Sequence, residues 1–80
     1  MESSLKKQLG TNLRALRKGR GLSQEMLAEE LGFTPRYLAG IERGERNLTL
    51  DSVDALARQL RVPSSLLLAD TDHATRAQLL

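Results

Sequence analysis

The 80-residue chain has no cysteine and a single histidine. Without thiols it cannot form a disulfide, a thiolate zinc site or a thiol nucleophile, which fits a reducing, cytoplasmic compartment. His73 has no second histidine at metal-ligand spacing, and Asp70 and Asp72 are typical of a capped or solvated tail. A glycine-rich phosphate loop is also missing. The sequence therefore predicts a protein that is not an enzyme and that uses no metal or cofactor.

Long apolar runs are also missing. The longest, Leu66 to Ala69, is far short of the roughly 20 residues that span a membrane, and it does not suit a signal peptide. A chain of this length makes one domain, and it buries only about 60% of its unfolded surface. We therefore expect no membrane partner and a modest stability that pairing with a second copy would raise.

The net charge of +2 is unevenly distributed. Residues 1–46 carry nine Lys or Arg and six Asp or Glu, a balance of +3, whereas residues 47–80 carry three and four, a balance of −1. A basic first half favours an anionic partner such as nucleic acid, although an ordinary solvated surface explains the same balance.

Helical patterns recur along the chain, and no alternating strand pattern occurs. The first helix is predicted to open at Ser3 or Ser4 and to end at Gly19 and Gly21. Its apolar stripe recurs at intervals of four, four and three residues, at Leu5, Leu9, Leu13 and Leu16. Gly10 interrupts this helix at a cost of about 1 kcal/mol relative to alanine, unless a close neighbour needs the space.

Three further helices begin with the same combination, a capping hydroxyl flanked by two apolar residues that form a hydrophobic staple. The caps are Ser23, Thr34 and Thr49, and the staples are Leu22 with Leu27, Phe33 with Leu38, and Leu48 with Val53. Pro63 and Ser64 begin a fifth helix. The sequence predicts an all-α, compact bundle of about five short helices over residues 1–69, and a tail at 70–80 that is a short helix or frayed.

One twenty-residue unit, from Gln24 to Arg43, has a spacing that suits two steeply crossing helices. The fifth position is a small alanine, the ninth a glycine, and the fifteenth and eighteenth are branched: Ala28, Gly32, Leu38 and Ile41. A small residue permits the close crossing, a glycine permits the tight turn, and the branched residues face the core. This arrangement is typical of a helix-turn-helix, whose second helix enters the DNA major groove.

The segments "LSQEMLAEELG" and "IERG", with the loop and helix that follow, resemble the Xre/Cro/cI family of lambda-repressor-like regulators across residues 9–60. Within that family, "YLAGIERGERNLTL" is similar to the controller proteins of bacterial restriction-modification systems. The resemblance implies a bacterial or phage-encoded transcription regulator at the nucleoid. It would bind double-stranded DNA at a near-palindromic operator as a homodimer.

The resemblance also implies roles for individual residues. Arg36 would read guanine through its bidentate fork, and three more residues would contact bases: Thr34, Pro35 and Arg46. Contacts to the DNA backbone would come from Ser23, Gln24, Tyr37, Arg43, Asn47 and Thr49. Each has a plainer interpretation as well, namely helix capping for Thr34, half-buried packing for Tyr37, and ordinary solvent exposure for the loop.

Three expectations concern the residues around this site and the surface that pairs two copies of the protein. Arg17 and Glu42 would form a partly buried, structural ion pair that orients the recognition helix. Gly40 falls one turn beyond Arg36 on the exposed face, where the family often carries a long polar side chain; shape readout or Arg46 could compensate for the missing reader. The fifth helix would supply the dimer surface through Leu66, Leu67 and Leu68, although the same leucines could complete the monomer core.

Two other functions fit the same residues. An antitoxin-type or other protein-interaction module would keep the fold and bind a toxin or an RNA polymerase subunit. A bare structural bundle would have no salt-dependent affinity for nucleic acid.

Overall fold

The computed structural model describes residues 4–70 and contains five α-helices in that range. They are α1 (Leu5–Gly19), α2 (Gln24–Leu31), α3 (Pro35–Glu42), α4 (Leu50–Leu60) and α5 (Ser64–Leu68). No strand occurs between residues 4 and 70, so the predicted all-α bundle is confirmed. The predicted tail after Asp70, with Asp72 and His73, lies outside the described residues. None of the five helices has the length and apolar character of a membrane span.

The first four helices begin where their capping residues predict. In each, a hydroxyl oxygen accepts a hydrogen bond from the backbone N–H three residues further on, and the capping residues are Ser4, Ser23, Thr34 and Thr49. This bond satisfies one of the N–H groups that a helix start leaves without an intrahelical partner. The short α5 begins after Pro63 without a side-chain cap.

The same four helices also end in one way, a Schellman motif in which an N–H group two or three residues past the helix donates to a carbonyl five residues back. The pairs are Leu22 with Arg17, Phe33 with Ala28, Glu45 with Gly40, and Val62 with Ala57. Each motif needs a left-handed residue, which is a glycine in three cases and Arg61, at φ 61°, in the fourth. Local capping at both ends therefore fixes where each short helix starts and stops.

The core is formed by apolar side chains from all five helices, including the fully buried Leu13, Leu38 and Leu56. The stripe predicted for α1 is shorter at its start, because Leu5 is 60% exposed there. Leu67 is 0% exposed and belongs to this core, which corrects its assignment to the dimer surface. Successive residues of a helix point about 100° apart, so three consecutive leucines cannot share one outer face.

α1 and α3 cross in direct backbone contact at Gly10. A Cβ atom on Gly10 would lie 2.5 Å from the carbonyl oxygen of Ile41 and 2.6 Å from that of Glu42. Both are main-chain atoms of α3 and cannot move aside without shifting the helix. This close approach accounts for a glycine in the interior of a fifteen-residue helix.

A buried ion pair joins the same two helices. Arg17 donates from Nε to Oε2 of Glu42 at 2.7 Å and from Nη2 to Oε1 at 3.1 Å, and the two side chains are 10% and 3% exposed. Both side chains form further hydrogen bonds. Arg17 Nη1 donates to the Leu22 carbonyl, and Gln24 Nε2 donates to Glu42 Oε1. Between residues 4 and 70, no buried side-chain nitrogen or oxygen lacks a hydrogen-bond partner.

The ionisation of the pair follows from this network. Burial alone would raise the pKa of Glu42, but hydrogen bonds from Arg17 and Gln24 and the charges of Arg17 and Arg14 outweigh it and lower that pKa below 4.5. The hydrogen bond to Glu42 raises the pKa of Arg17. Both groups therefore stay charged throughout the physiological range.

Asn12 of α1 and Arg20, which caps the C-terminus of α1, reach the second half of the bundle. Asn12 donates from Nδ2 to the carbonyls of Leu67 and Ala69, at 2.8 and 2.9 Å, and Arg20 donates to the carbonyl of Leu60 at 2.7 Å. These carbonyls lie at helix ends, where no intrahelical donor is available. α1 therefore holds the C-terminal ends of both α4 and α5.

We expect Gly10→Ala to lower the free energy of unfolding by about 1–3 kcal/mol, because the added methyl group forces α1 away from the α3 backbone. Urea denaturation measures the change. Gly19→Ala is the matched control, since a Cβ there meets nothing within 4 Å and alanine favours the helix. Equal effects of the two substitutions would contradict the close-approach account.

We expect Glu42→Gln to lower the free energy of unfolding by about 3–5 kcal/mol at neutral pH, because it leaves Arg17 charged and half-paired in the interior. The folded-state pKa of Glu42 lies below its ordinary value of 4.5, so the contribution of the pair is complete above that pH. It is lost as the pH falls through the folded-state pKa. The difference in the free energy of unfolding between wild type and variant should therefore decrease only at acidic pH.

Urea denaturation at a series of pH values tests this dependence, with Glu30→Gln on the exposed side of α2 as control. A difference from wild type that stays constant down to the lowest pH at which the protein folds would contradict it. So would an equal loss in the control.

Candidate nucleic-acid interface

The outer face of α3 starts with Thr34, Pro35 and Arg36. Thr34 caps the helix through its Oγ1, which accepts from the Tyr37 N–H at 3.0 Å, and Pro35 occupies the first helical position. Arg36 follows with an exposed side chain, while Leu38 and Ile41 of the opposite face are in the core. The helix is therefore anchored on one side and presents the predicted base-contacting residues on the other.

Three side chains at the start of α3 and in the loop after it are in contact with one another. The rings of Phe33 and Tyr37 meet edge to face with centroids 5.0 Å apart, and the guanidinium carbon of Arg46 lies 5.2 Å from the Tyr37 centroid. Tyr37 is half-buried, whereas Arg46 remains exposed. The aromatic pair thus forms a platform on which a cation from the following loop rests.

Gly40 is buried, which corrects its predicted place as an empty position on the exposed face. A Cβ atom on Gly40 would lie 2.9 Å from Nε and 3.2 Å from Cγ of Arg46. The side chain of Arg46 therefore covers the position one turn beyond Arg36. The helical repeat alone could not show this, because the covering side chain comes from the loop.

The loop after α3 carries the remaining predicted contacts. Arg43 Nη2 donates to Glu45 Oε1 at 3.0 Å, in an ion pair whose side chains are 58% and 59% exposed. The hydrogen bond from Arg43 lowers the pKa of Glu45. Asn47 is exposed, and Thr49 caps α4 by accepting from the Ser52 N–H. The loop thus presents one paired arginine and one amide to solvent.

The N-terminus of α2 opens onto a groove of about 680 Å³ that is flanked by α1 and α3. Ser23 caps this helix, and Gln24 is half-buried with its amide on Glu42. The groove is lined by polar and charged side chains together with Pro35 and Ala39; the polar set is Arg14, Arg17, Ser23, Gln24, Glu25, Glu42 and Arg43. A helix N-terminus with nearby guanidinium groups is a favourable environment for a phosphate.

Two charged residues of this groove, Arg14 and Glu25, are missing from the sequence-based site. Arg14 lies three residues before Arg17, so the two arginines fall on neighbouring positions of one helix face. That spacing is readable from the sequence once Arg17 is assigned. Glu25 adds a negative charge at the same place, and only the fold brings it to the groove.

The geometry suits anion binding and hydrogen-bond donation. No group of three or more His, Asp or Glu residues in the range 4–70 could hold a metal ion. The donors of the α2 N-terminus, the outer face of α3 and the loop after α3 instead lie on adjoining parts of the surface. This arrangement is the one that a helix-turn-helix presents to a duplex.

Comparison with known proteins agrees with this arrangement. The sequence profile of the helix-turn-helix family HTH_3 matches residues 13–67. The chain is 43% identical over 56 residues to the control protein C.SmaI of Serratia marcescens, which covers 70% of this chain and 67% of that protein.

Two solved structures are similar in fold. A hypothetical transcription factor from Neisseria superposes with a TM-score of 0.80 at 31% identity, covering 96% of this chain and 86% of that one. The restriction-modification controller protein C.AhdI of Aeromonas hydrophila superposes with a TM-score of 0.68 at 40% identity, covering 78% and 94%. The chain therefore belongs to the helix-turn-helix family HTH_3 of transcription regulators, which includes restriction-modification controller proteins.

Proposed function

We propose that this protein binds a near-palindromic operator as a homodimer and regulates transcription from it, as the autoregulating controller of a restriction-modification system. The observation that carries the proposal is the exposed start of α3 with Arg36, where the loop residue Arg46 covers the position one turn further on. An arginine on the recognition helix and a second one from the adjoining loop can each donate a bidentate pair to guanine in the major groove.

The base contacts start at the beginning of α3. Arg36 projects from the second helical position toward the groove floor. Thr34 uses its oxygen for the cap, so its hydroxyl proton is the group that it offers to a base or phosphate. Pro35 has no N–H and contributes apolar contact to a thymine methyl group.

Phosphate contacts flank the base contacts on both sides. Ser23 and Gln24 meet one strand at the α2 N-terminus, where free N–H groups and the helix dipole already favour an anion. Arg43 and Asn47 meet the backbone from the loop, together with the hydroxyl groups of Tyr37 and Thr49. Arg43 is paired with Glu45 in the free protein, so it shares its guanidinium donors between that carboxylate and a phosphate.

A dimer is needed to bind a whole palindromic operator, because a single recognition helix contacts only one half-site. We assign the dimer surface to the outer side of α5, where Leu66 is 46% exposed and Leu68 is half-buried on the other flank of the buried Leu67. C.AhdI is described as a restriction-modification controller protein, and C.SmaI is named a control protein. Their similarity supports the same role here.

The proposed base contact can be tested at Arg36. Arg36→Ala should cost about 1–3 kcal/mol at one base pair in each half-site and relax the preference there. Selection of bound duplexes from a random library, for wild type and variant, measures both effects. We expect wild type to recover a palindrome with guanine at a fixed place, and the variant to lose that guanine alone. An equal loss of affinity on every sequence would contradict the base contact.

The proposed phosphate contact can be tested at Arg43. Arg43→Ala should weaken binding to all sequences and reduce the slope of log affinity against log salt by about one, because one phosphate contact is lost. Titrations at several salt concentrations measure the slope. Arg58→Ala is the matched control, since Arg58 is an exposed arginine paired with Asp54 on α4. An unchanged slope in Arg43→Ala, or an equal change in the control, would contradict the assignment.

A further inference from the structure

Arg46 is held in one place by three features that the family assignment does not explain. Its side chain crosses the buried Gly40, its guanidinium rests over the ring of Tyr37, and its backbone follows a Schellman motif. In that motif Glu45 donates to the Gly40 carbonyl at 2.9 Å and Gly44 donates to the Ile41 carbonyl at 3.0 Å. The main chain next to Arg46 is therefore fixed against α3 before any ligand arrives.

The space for the side chain exists only because residue 40 has no Cβ. An added Cβ would lie 2.9, 3.2 and 3.6 Å from Nε, Cγ and Cδ of Arg46. These atoms belong to a flexible side chain, unlike the main-chain oxygens that block a Cβ at Gly10. A methyl group at residue 40 would therefore displace Arg46 while leaving the bundle intact.

We infer that Gly40 is a positioning residue for DNA recognition: it leaves a slot on α3 that places the loop residue Arg46, with its guanidinium over the Tyr37 ring, as a second base-contacting arginine next to the recognition helix. The inference rests on the proposed function, since it assigns Arg46 a contact with a base edge. A long side chain at residue 40 would start from the α3 backbone, whereas Arg46 reaches the same turn of α3 from the loop. The glycine therefore leaves the base contact at this turn to a loop residue instead of a helix residue.

The arrangement has an energetic reason. An unrestrained arginine side chain loses conformational entropy when it is immobilised at an interface. Stacking on Tyr37 restricts the side chain in the free protein, so less of that entropy is lost on binding. The edge-to-face contact with Phe33 in turn holds the Tyr37 ring. The slot, the ring and the loop motif act together to preorganise a single guanidinium.

The test is Gly40→Ala, with three measurements. Urea denaturation should show an equal or higher stability, because alanine favours a helix interior. In nuclear magnetic resonance spectra without DNA, the Arg46 side-chain protons should lose the shift caused by the Tyr37 ring. Affinity for the selected operator should fall about tenfold or more, as expected when a bidentate base contact is lost.

A double-substitution cycle separates positioning from a general effect on the helix. In an Arg46→Ala background, Gly40→Ala should change operator affinity less than about twofold, because the contact that it disturbs is already missing. Gly19→Ala is the control for a glycine on the same protein with open space around it. Tyr37→Phe keeps the ring and should preserve the Arg46 shift, which separates the ring from the hydroxyl contact.

The outcomes are distinguishable. Arg46 protons that stay shifted in Gly40→Ala would overturn the inference, and so would an equal affinity loss with and without Arg46. If Arg46→Ala weakens operator binding but Gly40→Ala does not, the inference fails and the proposed base contact stands. If Arg46→Ala leaves operator affinity unchanged, both the base contact of Arg46 and the role of Gly40 fail, while Arg36 remains tested by its own variant.

Discussion

The ion pair between Arg17 and Glu42 is the interaction on which the position of the recognition helix depends. α3 has only eight residues, too few to be stable by itself, so its placement comes from tertiary contacts. A buried pair gains little net stability, because desolvation offsets most of the attraction, but its bidentate geometry permits only one relative orientation. Gln24 and the Leu22 carbonyl complete the network, which ties both helices of the motif to α1. Gly10 lets the two backbones approach closely enough for the pair to form.

The candidate DNA-binding surface is built largely from helix ends. The N-terminus of α2, the capped start of α3 and the Schellman turn after α3 all carry groups that a helix leaves without intrahelical partners. Short helices have a high proportion of such groups, and a duplex offers phosphates and base edges to meet them. The features that delimit each helix, such as the caps at Ser23 and Thr34, thus also supply polar groups to the surface. Under the proposed function, folding and DNA recognition use the same residues.

The sequence predicts where the candidate interface lies but not all of its contacts, and each error has a specific physical cause. Helical periodicity correctly separates Arg36 from Leu38, because both lie within one regular element. It fails at Gly40, where the deciding neighbour, Arg46, is brought in by a loop. It also does not show that Glu25 lines the groove beside α2, because only the packing of α1, α2 and α3 forms that groove.

Local chemistry determined the helix content, the caps, the turn glycine at Gly32 and the family, since each depends on residues within a few positions of one another. Only the tertiary structure decided which of these residues meet. It exposed Leu5 and buried Leu67, because burial depends on what packs opposite and not on hydrophobicity alone. It joined Asn12 to the end of α5 and laid Arg46 over Gly40 and Tyr37. Such contacts depend on distances through space, which a pattern along the chain does not contain.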